Sequence, residues 1–341
     1  MRLNIIGNGF DLYHGLPCSY YYFGCYLISN HEDFYKEMAK MYGFAMGKTV
    51  GTYRDFELEW GVEDFFWREF EKHLGDFDSG WVEDTLQDDL GLENDDPIDL
   101  DLTEYENSGL IKQMFAEWVY ETLDKEENYN VIKRNLRNNA AKLKFDNEDC
   151  FINFNYTHIL EEIYNVETDR ILHIHGECLT GEGDELVIGH SNDERIEIVT
   201  ELLEKYEEND YDQASRNRKN EYRCILANLK DLRKDVTSNI FSCNYFLNRQ
   251  KEVTEVCVYG LSFGEVDIPY LKNIRNKYPN AKWKVSYYSL GEKREKAEIL
   301  QTILNLPEKN FELFEFSNPC SDKITREIVK LQGIQEYEKI N

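Results

Sequence analysis

The chain has 341 residues, 41% of them hydrophobic and 14% aromatic, which is enough apolar side chain for a sizeable core and excludes a disordered protein. With 66 Asp and Glu against 39 Lys and Arg, the formal net charge is −27, and its long-range field repels duplex DNA and anionic membrane faces. The eight cysteines form no CxxC pair, so they read as the reduced thiols of a cytoplasmic protein rather than as disulfides or a zinc knuckle.

The first apolar run, Leu3 to Ile6, is predicted to be a strand; it is too short to span a membrane and unlike a signal peptide. It leads into Gly7-Asn8-Gly9-Phe10-Asp11. Glycine lets backbone amides approach a ligand closely, and a helix starting here would add partial positive charge. These five residues therefore outline a cradle for the phosphates of a nucleotide, although Leu12 stands where a full GxGxxG has its third glycine, and a merely tight turn fits them too. Asp11 is placed to anchor a ribose hydroxyl or to cap the helix.

Further along, residues 76–106 carry many acidic side chains, Pro97 and no Lys or Arg, the pattern of an exposed acidic insertion. Leu110, Ile111, Met114, Phe115, Trp118, Val119 and Leu123 then recur at helical spacing.

Cys150 to Phe154 is the second clear strand, and Asn155, Tyr156 and Thr157 lie at its carboxyl end, where doubly wound sheets bind ligands. Asn155 is placed either to face that ligand or to cap a helix over Ile159 to Tyr164. In the next strand, Ile171 to Ile174, alternation puts His173 and His175 on one face, and with His190 they make a candidate metal set. A strand-end histidine before Gly176 equally suits a general base, so His175 is read as the base and no metal is expected.

Residues 191–250 read as a helical excursion, with Arg216, Arg218, Lys219 and Arg223 as a solvated face, so nucleic acid is not an expected partner. The strand Val256 to Tyr259 again ends in glycine: Gly260 and Ser262 are suited to phosphate or ribose oxygens, and Asp267 to capping the next helix. Trp283 to Tyr288 and Phe311 to Phe316 complete the strands. Alternation with helices predicts a Rossmann-like, doubly wound, mainly parallel α/β sheet with helical insertions, forming one domain over residues 1–341.

Several of these segments together, Gly7-Asn8-Gly9-Phe10-Asp11 with His14-Gly15-Leu16-Pro17, Trp67, Phe70, Glu71 and Leu74, Asn153-Phe154-Asn155-Tyr156-Thr157 with Glu161 and Tyr164, His173-Ile174-His175-Gly176, Gly189-His190, and Gly260-Leu261-Ser262-Phe263 with Asp267, form a pattern. It resembles the AbiH family of bacterial proteins linked to abortive infection by bacteriophage. More distantly it is similar to the sirtuin-like domains of other phage-defence proteins, which bind NAD and in several cases hydrolyse it.

That resemblance implies a sirtuin-like fold, NAD as substrate or ligand, Gly7 and Gly9 at the dinucleotide phosphates, Asn155 at the nicotinamide ribose or the attacking water, and His175 as the base. Sirtuins carry a small residue where Asn8 stands and a zinc module of paired cysteines that this chain lacks, so cleavage of NAD rather than protein deacetylation is implied. The expectation is a cytoplasmic NAD glycohydrolase that assembles as a homo-oligomer and answers a phage-derived trigger. The alternatives are a metal-dependent nuclease or nucleotide phosphohydrolase built on His173, His175 and His190, and a non-catalytic nucleotide sensor acting with a partner.

Overall fold

A computed structural model describes residues 1–52, 55–77, 108–136, 142–183, 186–207 and 213–340. Its strands are β1 (Arg2–Ile6), β2 (Gly47–Thr52), β3 (Asp55–Glu63), β4 (Cys150–Asn153), β5 (Ile171–His173), β6 (Glu255–Tyr259), β7 (Lys282–Tyr287), β8 (Phe311–Glu315) and β9 (Glu338–Ile340). Contacts gather into two compact units, one of residues 1–19, 116–187 and 235–334, the other of residues 20–115, 188–234 and 335–341.

The first unit holds a six-stranded sheet of order β5-β4-β1-β6-β7-β8 in which every pairing is parallel. Ranked by their place in this sheet, the strands run 3-2-1-4-5-6, the doubly wound order of dinucleotide-binding folds. Parallel strands covered on both faces must be apolar along their whole length. Leu3, Ile5, Phe151, Ile152, Val256, Val258, Trp283 and Val285 are all buried in the strands and Leu271, Ile274 and Leu300 share their core, while Lys284 in β7 and Glu312 in the edge strand β8 are exposed.

Register is set at the amino end of the sheet. Arg2 reaches Glu255 at 3.0 Å and Asp149 at 3.2 Å, tying β1 to both neighbours. Leu3 stands opposite Cys150 on one side and Val256 on the other. The strands expected from apolar runs are present to within a residue or two. A helix over Asn8–Tyr13 follows β1 and stops where Gly15 takes φ +80°.

The second unit contains an antiparallel β2–β3 pair with β9 parallel to β3, a sheet that no apolar run announces. Its core is aromatic. Tyr35 stacks on Trp67 at 5.9 Å, Trp67 stacks on Phe70 at 5.2 Å, and Phe23 meets both Trp67 and Phe70 edge-on. Among the motif residues here, Trp67, Phe70 and Leu74 are buried, and Glu71 accepts two hydrogen bonds of 2.9 Å from the buried Lys234 ammonium.

Among the described residues of 191–250 lie the helices Asp193–Glu207, Gln213–Asp231 and Val236–Asn248; the acidic stretch 76–106 lies outside the described residues beyond Phe77. All eight cysteines are free thiols. Among the described residues, no helix is long and apolar enough to cross a membrane.

Candidate functional site

The turn after β1 is built by glycine in a way the sequence does not disclose. A Cβ on Gly7 would lie 2.6 Å from the Leu261 Cα, one on Gly9 2.8 Å from the Gly260 Cα, and one on Gly260 2.2 Å from the Phe10 nitrogen. Gly260 also takes φ +66°, where glycine carries no steric penalty. These glycines let the backbones after β1 and β6 touch. Their amides are engaged within the chain: Gly7 donates to Tyr259 O, Gly9 to Gly260 O and Phe10 to Gly7 O, at 2.8–2.9 Å. Close packing of backbone therefore accounts for the glycines, and those three amides are occupied.

Other expected contacts also fall differently. Phe10 is fully buried among His14, Phe145, Tyr164, Tyr259 and Phe316 and belongs to the aromatic core. Asp267 occupies the N-cap position before the helix Ile268–Lys277, but its side chain makes no cap hydrogen bond. Asn155 caps no helix either, since the helix Ile159–Tyr164 has His158 at its N-cap. Asn8 and Ser262 are exposed, and Tyr156 donates its hydroxyl to Val187 O at 3.1 Å.

Asn155 instead joins a buried network. Its Nδ2 donates to Asp11 Oδ1 at 2.6 Å and to Gly7 O at 3.1 Å, while Thr157 Oγ1 donates to Asp11 Oδ2 at 2.5 Å. Burial pushes the Asp11 carboxyl up to about 7, against the opposing effect of those two hydrogen bonds. Asp11 lies within its helix rather than at the N-cap, which Gly7 holds, and its two carboxylate oxygens accept from Asn155 and Thr157. Nearby, burial lowers His14 to about 4; its Nδ1 is 2.7 Å from Phe10 O and its Nε2 2.7 Å from the Tyr164 hydroxyl.

His173 and His175 part company. His175 sits in an aromatic setting, with ring centroids at 5.2 Å from Phe154, 6.2 Å from Tyr156 and 6.4 Å from Tyr270. His190 belongs to the second unit, where its Nε2 lies 3.0 Å from Leu229 O and its Nδ1 accepts from the Asn192 amide. Within the first unit, His173 rather than His175 is the histidine around which ligand atoms gather.

What gathers around His173 is His158, Glu161 and Glu177, from the segment after β4, the helix it starts, and the loop after β5. His173 Nε2 is 2.9 Å from Glu161 Oε1 and 3.5 Å from Glu177 Oε1; His158 Nε2 lies 3.5 Å from the same Glu177 oxygen. Behind them, His158 Nδ1 is 2.7 Å from Asp124 Oδ2, and His173 Nδ1 is 3.4 Å from Asn155 O. Asp124 also accepts a hydrogen bond from the Tyr129 hydroxyl. Burial alone would lower His158, but the Asp124 hydrogen bond and charge, with Glu161 and Glu177, raise it to about 9.

His158, Glu177 and Asp124 were not singled out from the sequence. Two spacings signal the cluster: Glu177 follows His173 by four residues, and Glu161 follows His158 by three, one helical turn. Asp124 has no such mark.

The order of the strands and the polar residues at the carboxyl ends of β1, β4 and β5 define a doubly wound α/β protein with its candidate site where such sheets hold ligands. Residues 3–287 match the family model described as bacteriophage abortive infection AbiH, and the chain belongs to that family. No curated protein and no solved structure matches it.

Proposed function

We propose that this AbiH protein acts in abortive infection by binding NAD and hydrolysing its nicotinamide–ribose bond in the cytoplasm, as a homo-oligomer released by a phage-derived trigger. The observation that carries the reading is the 3-2-1-4-5-6 strand order, whose switch point falls between β1 and β6, beside the turn of Gly7 and Gly9 and the loop of Gly260 and Ser262. The aromatic surroundings of His175 suit a flat nicotinamide ring.

The chemistry asked of the site is modest. The bond between ribose C1′ and the ring nitrogen breaks with its electron pair going to the pyridine, through an oxocarbenium-like state. Water adds at C1′, and His175 takes its proton. Asn155, with both amide hydrogens directed to Asp11 and Gly7, presents its carbonyl oxygen to the water or a ribose hydroxyl. Asp11 and Thr157 act through Asn155 and are positioning residues.

A second reading, hydrolysis of a nucleotide phosphate, is favoured by the His158–Glu161–His173–Glu177 cluster. Incubating the purified protein with NAD, with and without chelator, and resolving the products by chromatography separates the two. Equimolar nicotinamide and ADP-ribose, insensitive to chelator, support the first. Chelator-sensitive appearance of AMP with nicotinamide still attached to its ribose moves the case to the second.

A further inference from the structure

We infer that His158, Glu161, His173 and Glu177 form a binding site for one divalent transition-metal cation of the zinc class, with Asp124 orienting His158. The four side chains offer donor atoms that all lie within 4.8 Å of one another. Donors held tetrahedrally about 2.0–2.2 Å from one cation stand about 3.3–3.6 Å apart, so the widest pair of this cluster closes by roughly an ångström to form a coordination sphere.

Three features distinguish this from a chance meeting of ion pairs. First, the Nε2 atoms of both histidines converge on the same Glu177 oxygen, each at 3.5 Å, which is longer than a good hydrogen bond and leaves room between them. Second, His158 has its Nδ1 2.7 Å from Asp124 Oδ2 behind the cluster, while His173 Nδ1 lies 3.4 Å from Asn155 O and 3.5 Å from Asn153 Nδ2. For His158 that carboxylate favours a proton on Nδ1 and leaves Nε2 to face a cation, the arrangement metal-ligating histidines use. Third, Glu161 Oε2 is buried and has no hydrogen-bond partner, an arrangement that costs stability unless something charged occupies the place beside it.

The ligand set argues the class of cation. Two imidazoles and two carboxylates suit borderline metals such as Zn²⁺; calcium and magnesium prefer all-oxygen sets. The two carboxylates balance a 2+ charge. The set lies at the carboxyl ends of β4 and β5, and Asn155, whose backbone oxygen faces His173 Nδ1, also donates its side chain to Asp11.

The test is direct and needs no nucleotide, so it stands or falls apart from the NAD reading. Full-length protein stripped with chelator is titrated with Zn²⁺ by calorimetry, and with Co²⁺ while its visible d–d absorption is recorded. The site predicts one equivalent bound, a Co²⁺ spectrum with nitrogen and oxygen ligation, and a loss of affinity of 100-fold or more in His173→Ala. Asp124→Asn, which weakens the support of His158 and keeps an oxygen for the Tyr129 hydroxyl, is expected to weaken binding about 10–100-fold while keeping the one-to-one stoichiometry. If His173→Ala does not fold, as judged by circular dichroism, Glu177→Gln, at a more exposed position, takes its place. No saturable binding, or equal affinity in wild type and in the variants that fold, overturns the site.

Discussion

Asn155 Nδ2 lies 2.6 Å from Asp11 Oδ1 and 3.1 Å from Gly7 O, so one side chain at the end of β4 holds both the turn after β1 and the helix that leaves it. The contact joins residues 144 and 148 positions apart in sequence, and both partners are buried. Removing it leaves a buried carboxylate and a buried carbonyl each short of a donor.

Asn155→Ala is therefore expected to cost about 2–3 kcal/mol of stability, from the price of two unsatisfied buried acceptors. Urea unfolding of the two proteins side by side measures it. An unchanged midpoint would mean that the network does not secure the strand ends.

Asp11 also makes stability depend on pH. Its folded carboxyl is raised to about 7 by burial, above the ordinary value of 3.8, so the folded state binds the proton more tightly than the unfolded one. The stability this contributes is fully present below pH 3.8 and is lost as pH rises through 7. Wild type should lose stability relative to Asp11→Asn between pH 5 and pH 8; a constant difference between the two across that range contradicts the assignment.

His14 has the opposite sign. Burial holds it at about 4, below its ordinary 6.5, so the neutral ring stabilises the fold above pH 6.5 and that contribution drains away as pH falls toward 4. Replacing it by Gln, which does not titrate, should flatten this part of the profile, as followed by thermal melts between pH 4 and pH 7.

The glycines give a graded expectation. Gly9→Ala and Gly260→Ala drive a methyl into backbone and should each destabilise by about 1–3 kcal/mol or more, with strain at φ +66° added for Gly260. Gly43 has the same φ of +66° but nothing within 4 Å of its Cβ position, so Gly43→Ala should cost only about 1 kcal/mol. Denaturation midpoints that rank Gly43 with the other two would remove the close-packing argument.

For the proposed reaction, His175→Ala should lower NAD turnover by about 10²–10⁴-fold while the far-ultraviolet circular dichroism stays unchanged. Nicotinamide release at the wild-type rate from a folded His175→Ala protein would exclude this residue as the base.

How much of this was legible beforehand follows from the periodicity each element leaves in the chain. A strand buried on both faces is an unbroken apolar run, and β1, β4 and β6 were recognisable for that reason. β2, with the sequence GKTVGT, carries two glycines and a lysine, so nothing in its pattern separates it from a loop. Gly7 and Gly9 were visible as a tight turn, but that their partner is the backbone of Gly260 and Leu261 depends on a contact more than 250 residues away. The histidine cluster was half visible: His173 stood out in a strand, while Asp124 sits 34 residues before the histidine it orients, beyond any local spacing rule.

The place of β1 has a consequence for biosynthesis. Its Arg2 reaches across 147 residues to Asp149 and 253 to Glu255, so the strand translated first lies at the middle of the sheet and waits for both neighbours. Contacts this distant in sequence make for late, slow assembly. β1, β4 and β5, whose ends carry Asp11, Asn155 and His175, can pair once β5 has been made, but the sheet closes only when β6, β7 and β8 arrive.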